Sequence, residues 1–302
     1  MGRRRAEQHR AVTMIGMPSR CSSIRRLASG ALLLVLSHVA LATAPPHDER
    51  RCGWLATRGG DAILSDRDGD WLLARAGTHA AAGDWRPAFG AGQSVATADG
   101  SVGCACLTVQ ADPRNHRIGA ATSPQPRPLA ACRGDRTLEL PAALQPAAKA
   151  WRTIHAAAFS IDVPANWKVR VKNGCVGLIV PGRYTQPGDD TMQVCGKPGT
   201  LAHAADRQII GPGEDGVWMR TAGMSMPSAV AWMFGPGWEG VTAVQSCGLD
   251  DELGYHGAAG ECLTFAASDG RHGATADTDG RWTEFGRAHA ILRTLRFDAA
   301  AK

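Results

Sequence analysis

Eight of the nine cysteines in this chain follow residue 42, and two of them stand one residue apart in the stretch Gly103-Cys104-Ala105-Cys106-Leu107. The eight are Cys52, Cys104, Cys106, Cys132, Cys175, Cys195, Cys247 and Cys262. An even set in an exported chain reads as a disulfide framework, which constrains a fold more tightly than local propensity does. Four cysteines lie on each side of residues 133–152, a stretch with Pro141, Pro146 and little apolar periodicity. Two closed sets of four are expected, because domains usually carry their own cores.

Geometry narrows the first set. Residues two apart on a strand point to the same face, about 6.6 Å apart along the chain. Parallel Cβ vectors do not converge as a bridge requires, so Cys104 and Cys106 are not expected to bond to each other. Each needs its own partner, and two pairings remain open. One is Cys52 with Cys104 and Cys106 with Cys132; the other is Cys52 with Cys106 and Cys104 with Cys132. Cys175 with Cys195 and Cys247 with Cys262 are the local choices in the second set. A thioredoxin-like redox site uses Cys-x-x-Cys at a helix N-terminus, whereas this spacer is one residue in a strand context. A zinc site needs free thiolates, which an oxidising compartment opposes.

The N-terminus reads as an export signal. Arg20, Arg25 and Arg26 precede a short apolar run, Leu27 to Ala42, that ends in Ala40-Leu41-Ala42, a small-x-small cleavage pattern. The run is shorter than the roughly 20 residues of a spanning helix. No stable membrane span is expected once residues 1–42 are removed, and the expected location is periplasmic or secreted. Residues 1–42 hold seven Lys/Arg and one acidic residue, against 33 and 28 in the whole chain. The remainder therefore has 26 and 27, a formal charge of −1 where the whole chain has +5. Without a basic footprint on the folded part, nucleic-acid binding is not expected.

The expected fold class is α+β. A small, disulfide-stapled, mostly-β domain spans residues 43–132, and a Pro/Ala-rich linker spans 133–152. An antiparallel-sheet domain with a C-terminal helix spans 153–302. In the first domain, hairpins are expected around Asp68-Gly69 and Asp99-Gly100. In the second, strands are expected at Phe159–Pro164 and around Cys175, Cys195, Cys247 and Cys262. Residues 225–235, SMPSAVAWMFG, read as a short helix opened by Ser225. Phe285, Ala288, Ile291, Leu292 and Leu295 share one helical face, with Thr283 as the cap.

A resemblance covers the first half. Arg51-Cys52-Gly53-Trp54, Asp66-Arg67-Asp68-Gly69 with Trp71, Thr97-Ala98-Asp99-Gly100, Gly103-Cys104-Ala105-Cys106-Leu107 and Pro128-Leu129 before Cys132 occur in that order. From about Glu49 to Leu138 the chain resembles the uncharacterised bacterial domain-of-unknown-function family 4087. The resemblance implies an exported, small β-rich domain and supplies no activity. The chain departs from that pattern before Asp66, where Ala62-Ile63 replace an aromatic, proline-containing segment, and near Gln93, where an aromatic is missing. In the second half, Phe159-Ser160-Ile161-Asp162-Val163-Pro164 with Trp167 and the closing Ile291 to Phe297 resemble exported domains of the PsbP- or Mog1-like α/β fold.

Three functional readings follow. The leading one is an exported, non-catalytic, disulfide-stabilised envelope protein, a binding or interaction module with an envelope partner or ligand and no cofactor. The second is an envelope hydrolase using a histidine of the second domain, from His155, His203, His256, His272 or His289, with Asp250, Asp251 and Glu261 as acidic partners. Their spacing defines no triad. The third is a periplasmic Cu(I) binder, because the thioethers of Met224 and Met226 suit a soft ion. Trp232 and Trp238 beside them either pack in the core or line a sugar or peptide groove. The carboxylates of Asp66-Arg67-Asp68-Gly69-Asp70 have calcium-loop spacing, but residues 71–77 supply no further oxygen ligand, so a hairpin turn is expected.

Overall fold

Alternating apolar residues and glycine-marked turns divide the first half into seven strands. They are β1 (Asp48–Arg58), β2 (Asp61–Asp66), β3 (Gly69–Arg75), β4 (His79–Ala80), β5 (Ser94–Thr97), β6 (Gly100–Asp112) and β7 (Arg117–Arg127), followed by helix α1 (Leu129–Gly134). A 3-10 turn at Ala142–Leu144 leads to β8 (Trp151–His155), β9 (Phe159–Pro164), β10 (Lys168–Lys172), β11 (Cys175–Ile179) and β12 (Met192–Pro198). Helix α2 (Leu201–Asp206) precedes β13 (Ile210–Pro212), β14 (Trp218–Arg220), β15 (Ser228–Ala229) and β16 (Ala231–Gly235). The chain continues through β17 (Trp238–Asp250), β18 (His256–Ser268), β19 (His272–Thr278), helix α3 (Phe285–Leu292) and β20 (Arg296–Phe297). The computed structural model describes residues 47–145, 150–180, 191–220, 228–250, 256–279 and 285–298, with backbone only at 142, 228–229, 246–250 and 256–260.

The described residues are mostly β, with three short helices. One large sheet runs in the order β10-β11-β12-β19-β18-β17-β16-β3-β2-β1-β6-β5. Two smaller sheets, β13-β14-β15 and β20-β9-β8, are not hydrogen-bonded into it. The large sheet passes from the second half to the first through a parallel contact of β16 with β3, at Trp232 opposite Gly69. Gly69 is needed there. Its φ is +110°, and a Cβ would lie 3.0 Å from the Trp232 amide nitrogen.

Strand parity sorts the side chains into cores. On β6, Ala105, Leu107 and Val109 pack with Leu55, Leu64, Trp71, Leu73 and Trp85. The opposite face carries Val102 and Cys104, which pack with Trp54 and Cys132. Leu138, Leu140 and Leu144, from the segment expected as a linker, cover that second cluster. In the second half, one sheet face packs Val176, Val194, Phe265 and Ala276 against β9 and α3. The other face packs Val241 and Ala266 under α2, and Leu72 of the first half enters the same cluster.

Residues 231–235, expected within a short helix, form strand β16. They pair along their whole length with β17, from Ala231 opposite Thr242 to Gly235 opposite Trp238. The two-residue turn Pro236-Gly237 enforces this hairpin, with Gly237 at φ +73°. Ser225 and Thr283, the expected helix caps, lie outside the described residues.

Candidate functional site

Cys104 and Cys106 share one face of β6 and reach in different directions. Cys106 lies directly opposite Cys52 on β1 and bonds to it. Cys104 bonds to Cys132 in α1. Of the two pairings left open by the sequence, the structure forms this one. Cys175 and Cys195 face each other on β11 and β12 and are bridged. Cys262 is also disulfide-bonded. Its expected partner Cys247 is among the residues whose side chains are not described.

The family motifs have local packing reasons. A Cβ on Gly53 would lie 2.0 Å from the Ser65 carbonyl oxygen. A Cβ on Gly103 would lie 2.3 Å from the Phe89 ring, which covers that glycine. Arg51 bonds to Asp66 at 2.6 Å and to Asp68 at 2.9 Å, and its guanidinium lies 3.8 Å from the Trp71 ring centre. His116 stacks on Trp71 at 3.9 Å. Two flat groups this close to one ring occupy its opposite faces, so Trp71 is sandwiched.

The most concentrated polar chemistry lies where the two halves meet. Asp70 of β3 is 1% exposed. Its Oδ1 accepts from Ser65 Oγ at 2.6 Å and from Arg293 Nη2 at 3.2 Å. Its Oδ2 accepts from Arg293 Nη1 at 2.8 Å and from the Phe234 amide at 3.2 Å. A buried carboxylate with four donors is fully satisfied. Nearby, Glu139 bonds to His289 Nδ1 and stands 3.9 Å from Arg293. Burial opposes the charge of Glu139, but His289 and Arg293 hold its carboxyl below the usual carboxylate range. Arg75 donates to the carbonyls of Gly235 and Trp238, and Arg117 bonds to Glu239, both across the same junction.

His116, which sequence reasoning passed over, sits in this junction. It is 7% exposed, has φ 51° and donates from Nδ1 to the Asp70 carbonyl. Burial lowers its pKa from 6.5 to about 4, against the pull of that hydrogen bond. It is therefore a neutral stacking group at neutral pH. The tryptophans around it could not have shown this, since aromatic content alone does not tell a buried ring from an exposed one.

The other predicted residues separate. Trp232 is 4% exposed and Trp238 is 0% exposed, so both are core residues and neither lines a sugar or peptide groove. Trp238 Nε1 donates to the Leu295 carbonyl. Met224 and Met226 lie outside the described residues, as do Asp251 and the side chains of Asp250 and His256. His155, His203 and Glu261 are exposed. His272 bonds to Asp269 in a turn. Asp66 and Asp68 are matched to Arg51, which replaces the cation of a calcium loop. Among the described residues no group of three or more His, Cys, Asp or Glu is arranged to hold a metal ion. No described helix is long and apolar enough to cross a membrane.

Comparison with known proteins adds three findings. No curated protein matches the chain. A solved structure from Bacteroides thetaiotaomicron is 12% identical over 48% of this chain and 46% of its own length. Its TM-score of 0.31 carries no argument about the fold. The chain thus spans less than half of that protein's length. Residues 46–139, which contain β1 to β7, α1 and both bridges of β6, match the family described as a protein of unknown function, DUF4087.

Proposed function

We propose that this is an exported, non-catalytic, disulfide-stabilised envelope protein that acts as a binding or interaction module. The observation that carries the reading is the double anchoring of β6 by Cys52–Cys106 and Cys104–Cys132. Disulfides form and persist in oxidising compartments, so this architecture calls for export. The groups with catalytic potential at the junction are already committed. Asp70 is saturated by four donors, and His116 is stacked between rings and bonded to a carbonyl. Cell fractionation with intact-mass measurement tests the reading. The expected result is an envelope-fraction chain beginning at Thr43 after cleavage behind Ala42. A full-length chain in the cytosol would overturn it.

One observation favours the hydrolase reading. His289 lies between Glu139 and Thr242, with Nε2 3.4 Å from the Thr242 hydroxyl. An acid, a base and a hydroxyl in sequence are the parts of a catalytic relay. However, the Thr242 hydroxyl donates to the Thr264 carbonyl at 2.9 Å, and Thr242 is 2% exposed. The hydroxyl neither offers its proton to His289 nor meets a substrate. Hydrolysis of p-nitrophenyl acetate distinguishes the readings: activity lost in His289→Ala would support the enzyme, and equal background rates support the binding module.

A further inference from the structure

Arg220 closes β14 and is 8% exposed. Its Nε and Nη1 are shielded from solvent and meet no hydrogen-bond acceptor among the described residues. Other arginines of the chain behave differently. Arg51, Arg58, Arg75, Arg117, Arg293 and Arg296 each reach a carboxylate. Buried charged donors without acceptors are costly and rare in folded proteins. They call for a partner.

The surroundings say what kind of partner. Arg220 lies opposite Ile210 of β13 and Ser228 of β15 in the backbone register of its own sheet. The charge of Asp277, on β19, reaches it. Yet the Asp277 carboxylate takes its hydrogen bond from Gln208 Nε2, at 3.1 Å. Burial pushes the Arg220 pKa below its ordinary value, with Asp277 pulling the other way. Asp277 stands opposite the exposed Gln193 of β12, so polar side chains continue across this face of the sheet.

We propose that Arg220 anchors an anion subsite on this face, taking the oxygens of a carboxylate- or phosphate-bearing ligand, with Gln208 and Gln193 as neutral neighbours and Asp277 as a competing charge. Guanidinium groups pair with both kinds of oxyanion through charge-assisted hydrogen bonds. Because Nε and Nη1 are covered, the anion reaches them through a local opening of the β13-β14-β15 sheet. That sheet is joined by three residue pairs on one side and two on the other. Such small elements open well below the free energy of global unfolding. The proposal deepens the binding-module reading and rests on it.

Thermal unfolding of the full mature chain tests the subsite. Inorganic phosphate and acetate are each titrated, with chloride at matched ionic strength as the control. The wild type should gain thermal stability from phosphate, acetate or both beyond the chloride control, as a ligand bound only to the folded state requires. Arg220→Met should lose that gain while keeping at least the wild-type midpoint in chloride, because it removes an unmet buried charge. Asp277→Asn should lower the apparent Kd severalfold. A response to phosphate alone assigns a phosphate ligand, and a response to acetate assigns a carboxylate. The absence of any gain in the wild type, or an equal gain in Arg220→Met, overturns the subsite. Should Arg220→Met fail to fold, an unchanged Kd in Asp277→Asn overturns it instead. In either case, an exported and fully bridged chain leaves the binding-module reading in place.

Discussion

Asp70 and Arg293 stand 223 positions apart and form a two-point ion pair, 2.8 and 3.2 Å long, that joins β3 to the end of α3. Asp70 also holds the Phe234 amide of β16 beside the Gly69–Trp232 contact. One carboxylate thus ties together three elements from both halves. Asp70→Ala takes the two-point partner from the partly exposed Arg293 guanidinium and leaves the Phe234 backbone N–H unmet. It should cost about 3 kcal/mol in urea denaturation, the low end for breaking one side of a buried pair, because Arg293 keeps solvent and Glu139 nearby. A loss below about 1 kcal/mol is what a solvated surface pair gives, and it would contradict this assignment.

His116 gives the protein an acid limit. Its folded-state pKa of about 4 lies below the ordinary 6.5, so the unfolded chain takes up the proton first as pH falls. The stability it contributes is complete above about pH 6.5 and is lost as pH falls toward about 4. A shift of this size is worth roughly 3 kcal/mol. His116→Asn tolerates the left-handed backbone but does not titrate. Its denaturation midpoint should depend less on pH across that window than the wild type's does.

The two bridges of β6 should not be equivalent. Chain entropy gives both about 4 kcal/mol and favours the 54-residue Cys52–Cys106 loop over the 28-residue Cys104–Cys132 loop by only about 0.6 kcal/mol. Packing reverses that order. Cys104 and Cys132 are both buried with Trp54, Val102 and the leucines of 138–144, whereas Cys52 is exposed. Replacing Cys104 and Cys132 with alanine should therefore lower the thermal midpoint more than replacing Cys52 and Cys106. The reverse order would show that loop length dominates.

Two glycines of the family motifs should differ in tolerance. Gly53→Ala drives a methyl into the Ser65 carbonyl, which is backbone of the neighbouring strand and cannot move alone. Gly103→Ala meets only the half-buried ring of Phe89, which can rotate or swing away. Chemical denaturation should show Gly53→Ala to be the more destabilising by at least about 1 kcal/mol.

Local features were readable in the sequence because their causes are local. The hairpins at Asp68-Gly69 and Asp99-Gly100, the strand Phe159–Pro164 and the helix beginning at Phe285 rest on turn residues and side-chain period. Strand parity likewise placed Cys104 and Cys106 on one face, though it left the choice of partner open. The junction was hidden for the opposite reason. Nothing near Asp70 in the chain points to Arg293, and nothing near Leu138 shows that it packs over Cys104 and Cys132. Trp232 looked equally suited to a groove or a core until β16 was seen pairing with β17 and touching Gly69.

The account turns on β6 as a strand held at two points to separate partners. Non-reducing peptide mapping of the mature protein, with free thiols alkylated before digestion, measures this directly. The predicted result is one linked pair containing Cys52 and Cys106, a second containing Cys104 and Cys132, and no alkylated cysteine among the four. Pairing of Cys52 with Cys104, or free thiols at Cys104 and Cys106, would contradict it.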